Sequence, residues 1–287
     1  MRILILGAKG NLGQELVKVF AKDHEIIAWG KGEVDITDKD LIVKKIKDVK
    51  PVIIINAAAY NAVDKCETDE KEFELAKKIN GKAVGYLAEA ALETGAILIH
   101  YSTDYVFSGR KKTGYNEDDL PKPINKYGES KLLGERAVIS LSGKGLRWYL
   151  IRTSKLFGPK GGSEFSKESF FDLMLRLSKE REVINAISKE EISSFTYTPD
   201  LAKATCALID EGKGFGIYHI TNNGAVSWYE AVKYLFQLKN IKNVKLNPIS
   251  SSGLHRPAKR PKHSVLLNNK LKPMRSWKEA LREYLNN

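Results

Sequence analysis

Ile3-Leu-Ile-Leu-Gly7-Ala-Lys-Gly10-Asn-Leu-Gly13 is the stretch that decides the fold: an apolar run passes straight into three glycines spaced three apart. Leu16, Val17, Val19 and Phe20 follow at helical intervals. A short continuous apolar run closed by glycine reads as a strand buried on both faces. Glycines where such a strand hands over to a helix permit a tight turn and close backbone approach to a phosphate. The helix N-terminus then adds unpaired N–H groups and a positive dipole end. The spacing departs from Gly-x-Gly-x-x-Gly and is a weak signal alone, so the segments downstream carry the argument.

They repeat the unit. Glu25–Trp29 reads as a second strand, and Thr37 with Asp40 as a capping box for a helix that stops before Pro51. Val52–Ile55 is a third strand, running into Asn56-Ala57-Ala58-Ala59. A long helix over Thr68–Leu92, a strand at Ala96–Ser102, a helix over Asn125–Leu141 and a strand at Trp148–Arg152 follow. The alternation predicts an α/β protein: a Rossmann-like doubly wound parallel sheet with helices on both faces. After about residue 154 the pattern loosens. Thr198-Pro199 starts a helix, Phe215–Thr221 returns to the sheet, Ser227 and Glu230 form a second capping box, and a last amphipathic helix begins near Ser276. The expected division is a dinucleotide-binding domain over 1–154, with 198–222 returning to it. A smaller C-terminal substrate-binding lobe then takes 155–197 and 223–287.

The 287 residues, 43% hydrophobic with mean hydropathy −0.32, suit one large domain or a domain plus a lobe. The opening apolar run is far too short for a signal peptide, and no stretch approaches the roughly 18 apolar residues of a spanning helix. Cys66 and Cys206 make no disulfide framework. The expectation is a cytoplasmic globular protein with no membrane partner. Its net charge of +12 is unevenly placed: residues 231–278 hold 12 Lys and Arg and no acid, so the rest of the chain is neutral. Such asymmetry points to an anionic partner, a nucleic acid or a phosphorylated small molecule. The five histidines are scattered without zinc-ligand spacing, and Asp118-Asp119 is an adjacent loop pair with no catalytic geometry implied.

NAD sites usually place an acid near the end of the second strand to hold the ribose hydroxyls. Here that strand ends at Trp29-Gly30-Lys31. Lys9 and Lys31 suit a 2′-phosphate instead, and Asp35-Ile36 suits the adenine. The expected cofactor is NADPH, with NADH left open.

Tyr127-Gly-Glu-Ser-Lys131 sets a phenol and an ammonium one helical turn apart on one face. A phenol near pKa ~10 relays protons poorly at neutral pH, and a nearby cation is expected to draw that value down. Tyr229 and Lys233 repeat the spacing but follow no hydroxyl-bearing strand, so they are read as packing. The first pair is preceded by Ser102-Thr-Asp-Tyr-Val-Phe107 at a strand's C-terminal end, where ligands sit in open parallel sheets. Glycine loop, hydroxyl-bearing strand end and Tyr-x-x-x-Lys helix, in this order, resemble an extended short-chain dehydrogenase/reductase. Asn56-Ala-Ala-Ala-Tyr60, Ala62-Val-Asp-Lys65, Ser227-Trp-Tyr-Glu230 and Arg260-Pro-x-x-Ser264 narrow the likeness to the dTDP-4-dehydrorhamnose reductase family.

The resemblance implies that Tyr127 protonates the oxygen formed when a sugar 4-keto group accepts hydride. Lys131 holds the nicotinamide ribose and lowers the phenol pKa. Thr103 bonds the reacting oxygen, and Asp104 and Tyr105 stand at the sugar. Gly7, Gly10, Asn11, Leu12, Gly13, Lys31, Asp35, Ile36, Ala57, Ala58 and Ala59 would line the dinucleotide, with Tyr127 and Lys131 at its reactive end. Asn80 is either part of a proton relay or a structural residue. Two departures bear on the substrate: Lys155 stands where these reductases commonly carry tryptophan, and Glu191-Ile-Ser-Ser-Phe195 replaces a Gly/Pro turn. Arg260 is expected to grip a diphosphate, beside Lys155. Magnesium, bound by carboxylates in some relatives, is left open, as is a homodimer.

The leading expectation is NAD(P)H-dependent reduction of a dTDP-4-dehydro-6-deoxy sugar, most directly to dTDP-L-rhamnose, with a nucleotide sugar and no nucleic acid as partner. Three alternatives stand beside it: a reductase or epimerase of another nucleotide sugar, a non-catalytic regulatory subunit of the methionine adenosyltransferase type, and a nucleic-acid binder using the basic segment. Retention of Tyr127 and Lys131 argues against the regulatory reading.

Overall fold

A computed structural model describes residues 1–188 and 190–286. The first half builds β1 (Arg2–Leu6), α1 (Asn11–Phe20), β2 (Glu25–Trp29), α2 (Lys39–Val49) and β3 (Ile53–Asn56), then α3 (Val63–Thr68), α4 (Glu70–Lys77) and α5 (Ala83–Thr94). After these come β4 (Ile97–Thr103), α6 (Lys126–Ser140), β5 (Arg147–Thr153), β6 (Leu156–Phe157), α7 (Phe170–Glu180) and β7 (Val183–Ile187). The remainder is β8 (Ser193–Ser194), β9 (Thr196–Tyr197), α8 (Thr198–Asp210), β10 (Gly216–His219), β11 (Ala225–Val226), α9 (Trp228–Leu238), β12 (Lys245–Ile249) and α10 (Trp277–Asn286).

Among the described residues, six strands form one parallel sheet in the order β10-β5-β4-β3-β1-β2. Strand pleating sorts the apolar runs onto two faces. Leu4, Leu6, Ile54, Leu98 and Leu150 pack with residues of α2 and α5. Ile3, Ile5, Ile55, Ile99 and Ile151 pack on the opposite face with α1 and α8. Each fully buried aliphatic contributes roughly 1.5–3 kcal/mol, which is why these strands read as continuous apolar runs. The chain reverses its direction of travel across the sheet between β1 and β3, and such a switch point opens a ligand crevice at the strand C-termini. Gly7 lies there at φ +72°, and a Cβ on it would sit 2.6 Å from the Ala58 amide nitrogen. A third cluster, holding Phe157, Phe171, Phe195, Val232, Leu235 and Trp277, forms the core under β6–β9, α7, α9 and α10.

Local corrections follow from side-chain hydrogen bonding. The long helix expected over Thr68–Leu92 is three pieces: Asp69 caps α4 by accepting from the Lys71 amide, and a π-turn over Lys78–Lys82 separates α4 from α5. Asn80 on that turn is buried, accepting from the Tyr60 amide and donating to the Tyr60 carbonyl and Ser130 Oγ. α2 is capped by Asp38, because Thr37 is bonded instead to Asp35. Thr198 is the first residue of α8, with Tyr197 at the cap position. Ser227 accepts from the Glu230 amide, but the Glu230 carboxylate turns to Lys233 rather than reaching back. Reciprocal boxes occur at Ser169/Asp172 and Ser276/Glu279.

α6 is fixed by a buried ion pair. Arg152 on β5 grips Glu135 on α6 bidentately, Nε–Oε1 2.9 Å and Nη2–Oε2 2.7 Å, and Ser102 Oγ on β4 donates to Oε1 at 2.5 Å. Removing one partner leaves an uncompensated interior charge. Glu135→Ala is therefore expected to cost about 3–5 kcal/mol in urea unfolding. A loss below ~1 kcal/mol would show that the pair does not hold the helix.

Candidate active site

β4 ends at Thr103, and the chain turns through a single 3₁₀ turn, Asp104–Val106. Thr103 Oγ1 accepts from the Tyr105 amide at 3.2 Å and lies 3.1 Å from Asp104 Oδ1. Asp104 is buried, and Ser264 Oγ donates to its Oδ2 at 2.5 Å. Burial raises the Asp104 pKa, opposed by Ser264, Lys155, Ser154 and Thr103. α6 starts on an Asn125 cap, whose side chain accepts from the Gly128 amide, and presents Tyr127 in its first turn and Lys131 in the next. The partly buried Tyr127 ring meets Tyr105 edge-on at 5.8 Å between centroids. Thr103, Asp104, Tyr105, Tyr127 and Lys131 thus meet at the C-terminal end of β4.

The charge arrangement differs from the expected one. Lys131 Nζ donates to the Tyr101 carbonyl at 2.6 Å, and burial draws its pKa down to about 8 against the pull of Glu135. Tyr127 moves upward, first through burial and then through Asp104, with the Thr103 hydroxyl opposing. The phenol therefore stays protonated, and Lys131 does not depress it in this state. His100, buried beside them, is held neutral by burial and by Lys131.

At the switch point, Gly10 occupies the N-cap of α1, which has neither a side-chain cap nor an acid in its first turn. That leaves the amides of Asn11, Leu12 and Gly13 for an anion. The Asn11 side chain itself is engaged by residues 161 and 167. Ala57 and Ala58 are half-buried and Ala59 exposed just beyond β3. Asp35 accepts from the Thr37 amide and hydroxyl, while Ile36 is buried in the sheet core. Lys9 is not free for a 2′-phosphate: its Nζ is 2.7 Å from Glu33 Oε1, and the other Glu33 oxygen accepts from the Gly30 amide at 2.7 Å. An acid does therefore stand beyond β2, neutralised by Lys9. Lys31 is exposed at this edge, over the Phe165 ring.

Beyond β5, Lys155 stands at φ +41°, partly buried. Its Nζ is 3.5 Å from the Trp228 ring centroid and 5.4 Å from that of Phe195. Burial pushes its pKa down to about 7, against Asp104 and Glu191. The free fork expected of Arg260 is instead closed on Asp64, with Nη1–Oδ1 and Nη2–Oδ2 both 2.7 Å. Arg256 likewise pairs with Glu191, which also accepts from Trp228 Nε1 at 3.1 Å. The acid-free segment is threaded through the molecule rather than set apart: Ser264 bonds the Ile192 carbonyl, and Tyr115 bonds the Val265 carbonyl. Ser264, Glu33, Glu191 and Trp228 join the candidate site through contacts with Asp104, Lys9, Arg256 and Lys155, and the sequence alone did not assign them. Ser264 closes the Arg-Pro-x-x-Ser element, a local pattern, whereas its reach to Asp104 spans 160 residues of sequence. Among the described residues no three His, Cys, Asp or Glu side chains gather to hold a metal. No helix among them is long and apolar enough to cross a membrane.

A parallel nucleotide-type sheet whose switch point carries an uncapped glycine loop, with Thr, Tyr and Lys at the β4 edge, defines a Rossmann-type oxidoreductase of the short-chain dehydrogenase/reductase class. The family model described as RmlD substrate binding domain matches residues 1–287. The dTDP-4-dehydrorhamnose reductase of Aggregatibacter actinomycetemcomitans is 37% identical over 98% of this chain and 97% of its own. The solved structure of a dTDP-4-dehydrorhamnose reductase from Clostridium acetobutylicum superposes at TM-score 0.91, with 37% identity and 100% and 99% coverage of the two chains. One from Bacillus anthracis in complex with NADP superposes at 0.91, with 36% identity and 99% and 98% coverage. The chain belongs to the dTDP-4-dehydrorhamnose reductase family.

Lys155 yields a pH test. Its pKa is about 7 folded and near 10.5 unfolded, so between these values the unfolded chain binds more protons and stability rises with pH. Lys155→Met removes that increment. From pH 7 to 9.5 the native protein should gain roughly 1–2 kcal/mol relative to the variant, allowing for solvent at the partly open site. Parallel pH profiles in chemical unfolding would put the ammonium in open water.

Proposed function

We propose that the protein reduces the 4-keto group of a dTDP-4-dehydro-6-deoxy sugar, with dTDP-4-dehydro-L-rhamnose to dTDP-L-rhamnose the leading pair and NADPH the preferred cofactor. The observation that carries this reading is the convergence of Thr103, Tyr127 and Lys131 beside Asp104 in a chain that matches the reductase family end to end. The uncapped α1 terminus and the close approach at Gly7 suit a dinucleotide pyrophosphate. Within this reading, residues 1–154 and 198–222 hold the dinucleotide, and 155–197 with 223–287 hold the sugar nucleotide.

The dinucleotide, when bound, supplies hydride to the keto carbon. Tyr127, kept protonated by burial, delivers its phenolic proton to the oxygen that gains charge. Thr103, whose hydroxyl lies at the same end of β4 and opposes the rise of the Tyr127 pKa, steers the substrate oxygen toward that phenol. Lys131 has three N–H donors and spends one on Tyr101, so two would remain to hold the ribose of a bound dinucleotide and the phenolate left after transfer. Its cation stabilises that phenolate at the moment it forms. Asp104, fixed by Ser264, orients the sugar. Arg260, committed to Asp64, holds the Ala258–Ser264 segment, and a diphosphate reaches it only in competition with that carboxylate.

Lys155 supports a second reading, another keto sugar nucleotide, because a cation resting on Trp228 offers a polar wall where an apolar ring is common in the family. A panel of 4-keto sugar nucleotides with NADPH separates the two by kcat/KM. The reductase reading fails if none is turned over. Tyr127→Phe should lower kcat by ~10²–10⁴ with dinucleotide Kd nearly unchanged; near-normal turnover would remove Tyr127 from its role.

A further inference from the structure

Between β6 and α7 the chain leaves the sugar-side lobe and lies across the glycine loop. Gln14 Nε2 donates to the Pro159 carbonyl at 2.9 Å. Asn11 bridges two points of the crossing segment: its Oδ1 accepts from the Gly161 amide at 3.1 Å and its Nδ2 donates to the Lys167 carbonyl at 2.9 Å. The Lys9 carbonyl accepts from the Ser163 amide at 2.9 Å and from Ser166 Oγ at 3.4 Å. The approach is close enough that a Cβ on Gly161 would lie 2.5 Å from the Lys9 oxygen. At the crest of this strap sits Phe165, 57% exposed, an aromatic ring with no core to fill. Its ring centroid is 4.7 Å from Lys31 Nζ.

We infer that residues 159–167 form a strap clipped to the glycine loop, and that Phe165 positions the Lys31 ammonium for the adenosine 2′-phosphate, making it a determinant of NADPH over NADH. The inference rests on the NADPH reading proposed above. Lys9 and Glu33 neutralise each other at this edge, so selectivity falls to Lys31. A free lysine side chain loses much rotamer freedom on docking a phosphate. A ring face that attracts the cation confines it beforehand and leaves its outer N–H donors open to the anion. Because the strap leads directly into α7, it also ties the cofactor seat to the sugar-side core through Phe171.

The test is direct titration of NADPH and NADH, without substrate, on the native protein and on Lys31→Ala, Phe165→Ala and Phe165→Tyr. Phe165→Ala should raise the NADPH Kd about two- to fivefold and leave NADH within error, the size of an exposed cation–π contact. Phe165→Tyr should restore the native ratio, which a merely structural loss would not produce. Lys31→Ala should show a larger loss confined to NADPH. If Lys31→Ala is selective and Phe165→Ala is not, the strap inference is wrong while the NADPH reading stands. If Lys31→Ala changes neither ligand, or both equally, Lys31 does not read the 2′-phosphate and the inference is wrong; if the native protein binds NADH more tightly than NADPH, the NADPH reading itself falls.

Discussion

The buried pair of Glu135 and Arg152 sets the rotation of α6, and the chemistry of the site depends on that rotation. Tyr127, Lys131 and Glu135 share one helical face. Once Arg152 and Ser102 hold Glu135 against β4 and β5, the two residues above it must point at the end of β4. Replacing such a pair with apolar side chains is often neutral for stability, so its use here is better understood as orientation. An apolar contact would let α6 turn; a bidentate fork does not.

The same logic of fixed approach governs the cofactor side. Gly7 admits the β3 exit chain against the loop, and the strap closes over the loop from the other lobe. The late basic segment crosses back as well, setting Ser264 on Asp104 and Arg260 on Asp64. Both lobes therefore contribute to one edge of one sheet. The concentrated positive charge of residues 231–278 is partly consumed in doing so: Arg256, Arg260, Lys262 and Arg275 all have carboxylate partners.

What was legible in the sequence follows from range. Apolar runs ending in glycine, and Tyr and Lys one turn apart, are local patterns, and they located the sheet, the glycine loop and the α6 pair. Charge partnerships are not local. Nothing near Arg260 in sequence announces Asp64, and nothing near Trp29 says that Glu33 folds back onto Gly30 and captures Lys9. The break in the helix expected over Thr68–Leu92 was hidden for a similar reason, since Asn80 satisfies its amide on Tyr60 and Ser130, far along the chain. The upward movement of the Tyr127 pKa escaped the i, i+4 argument because burial and Asp104 outweigh a lysine already committed to Tyr101.

The proposed function turns on hydride transfer from the dinucleotide to sugar C4, with Tyr127 protonating the carbonyl oxygen. Reduction of dTDP-4-dehydro-L-rhamnose with NADPH carrying deuterium at both nicotinamide C4 positions tests it most directly, read by mass and NMR of the product. The account predicts one deuterium, carried at sugar C4 of a single epimer. Cofactor oxidation with no deuterium at that carbon, or a mixture of both C4 epimers, would contradict it.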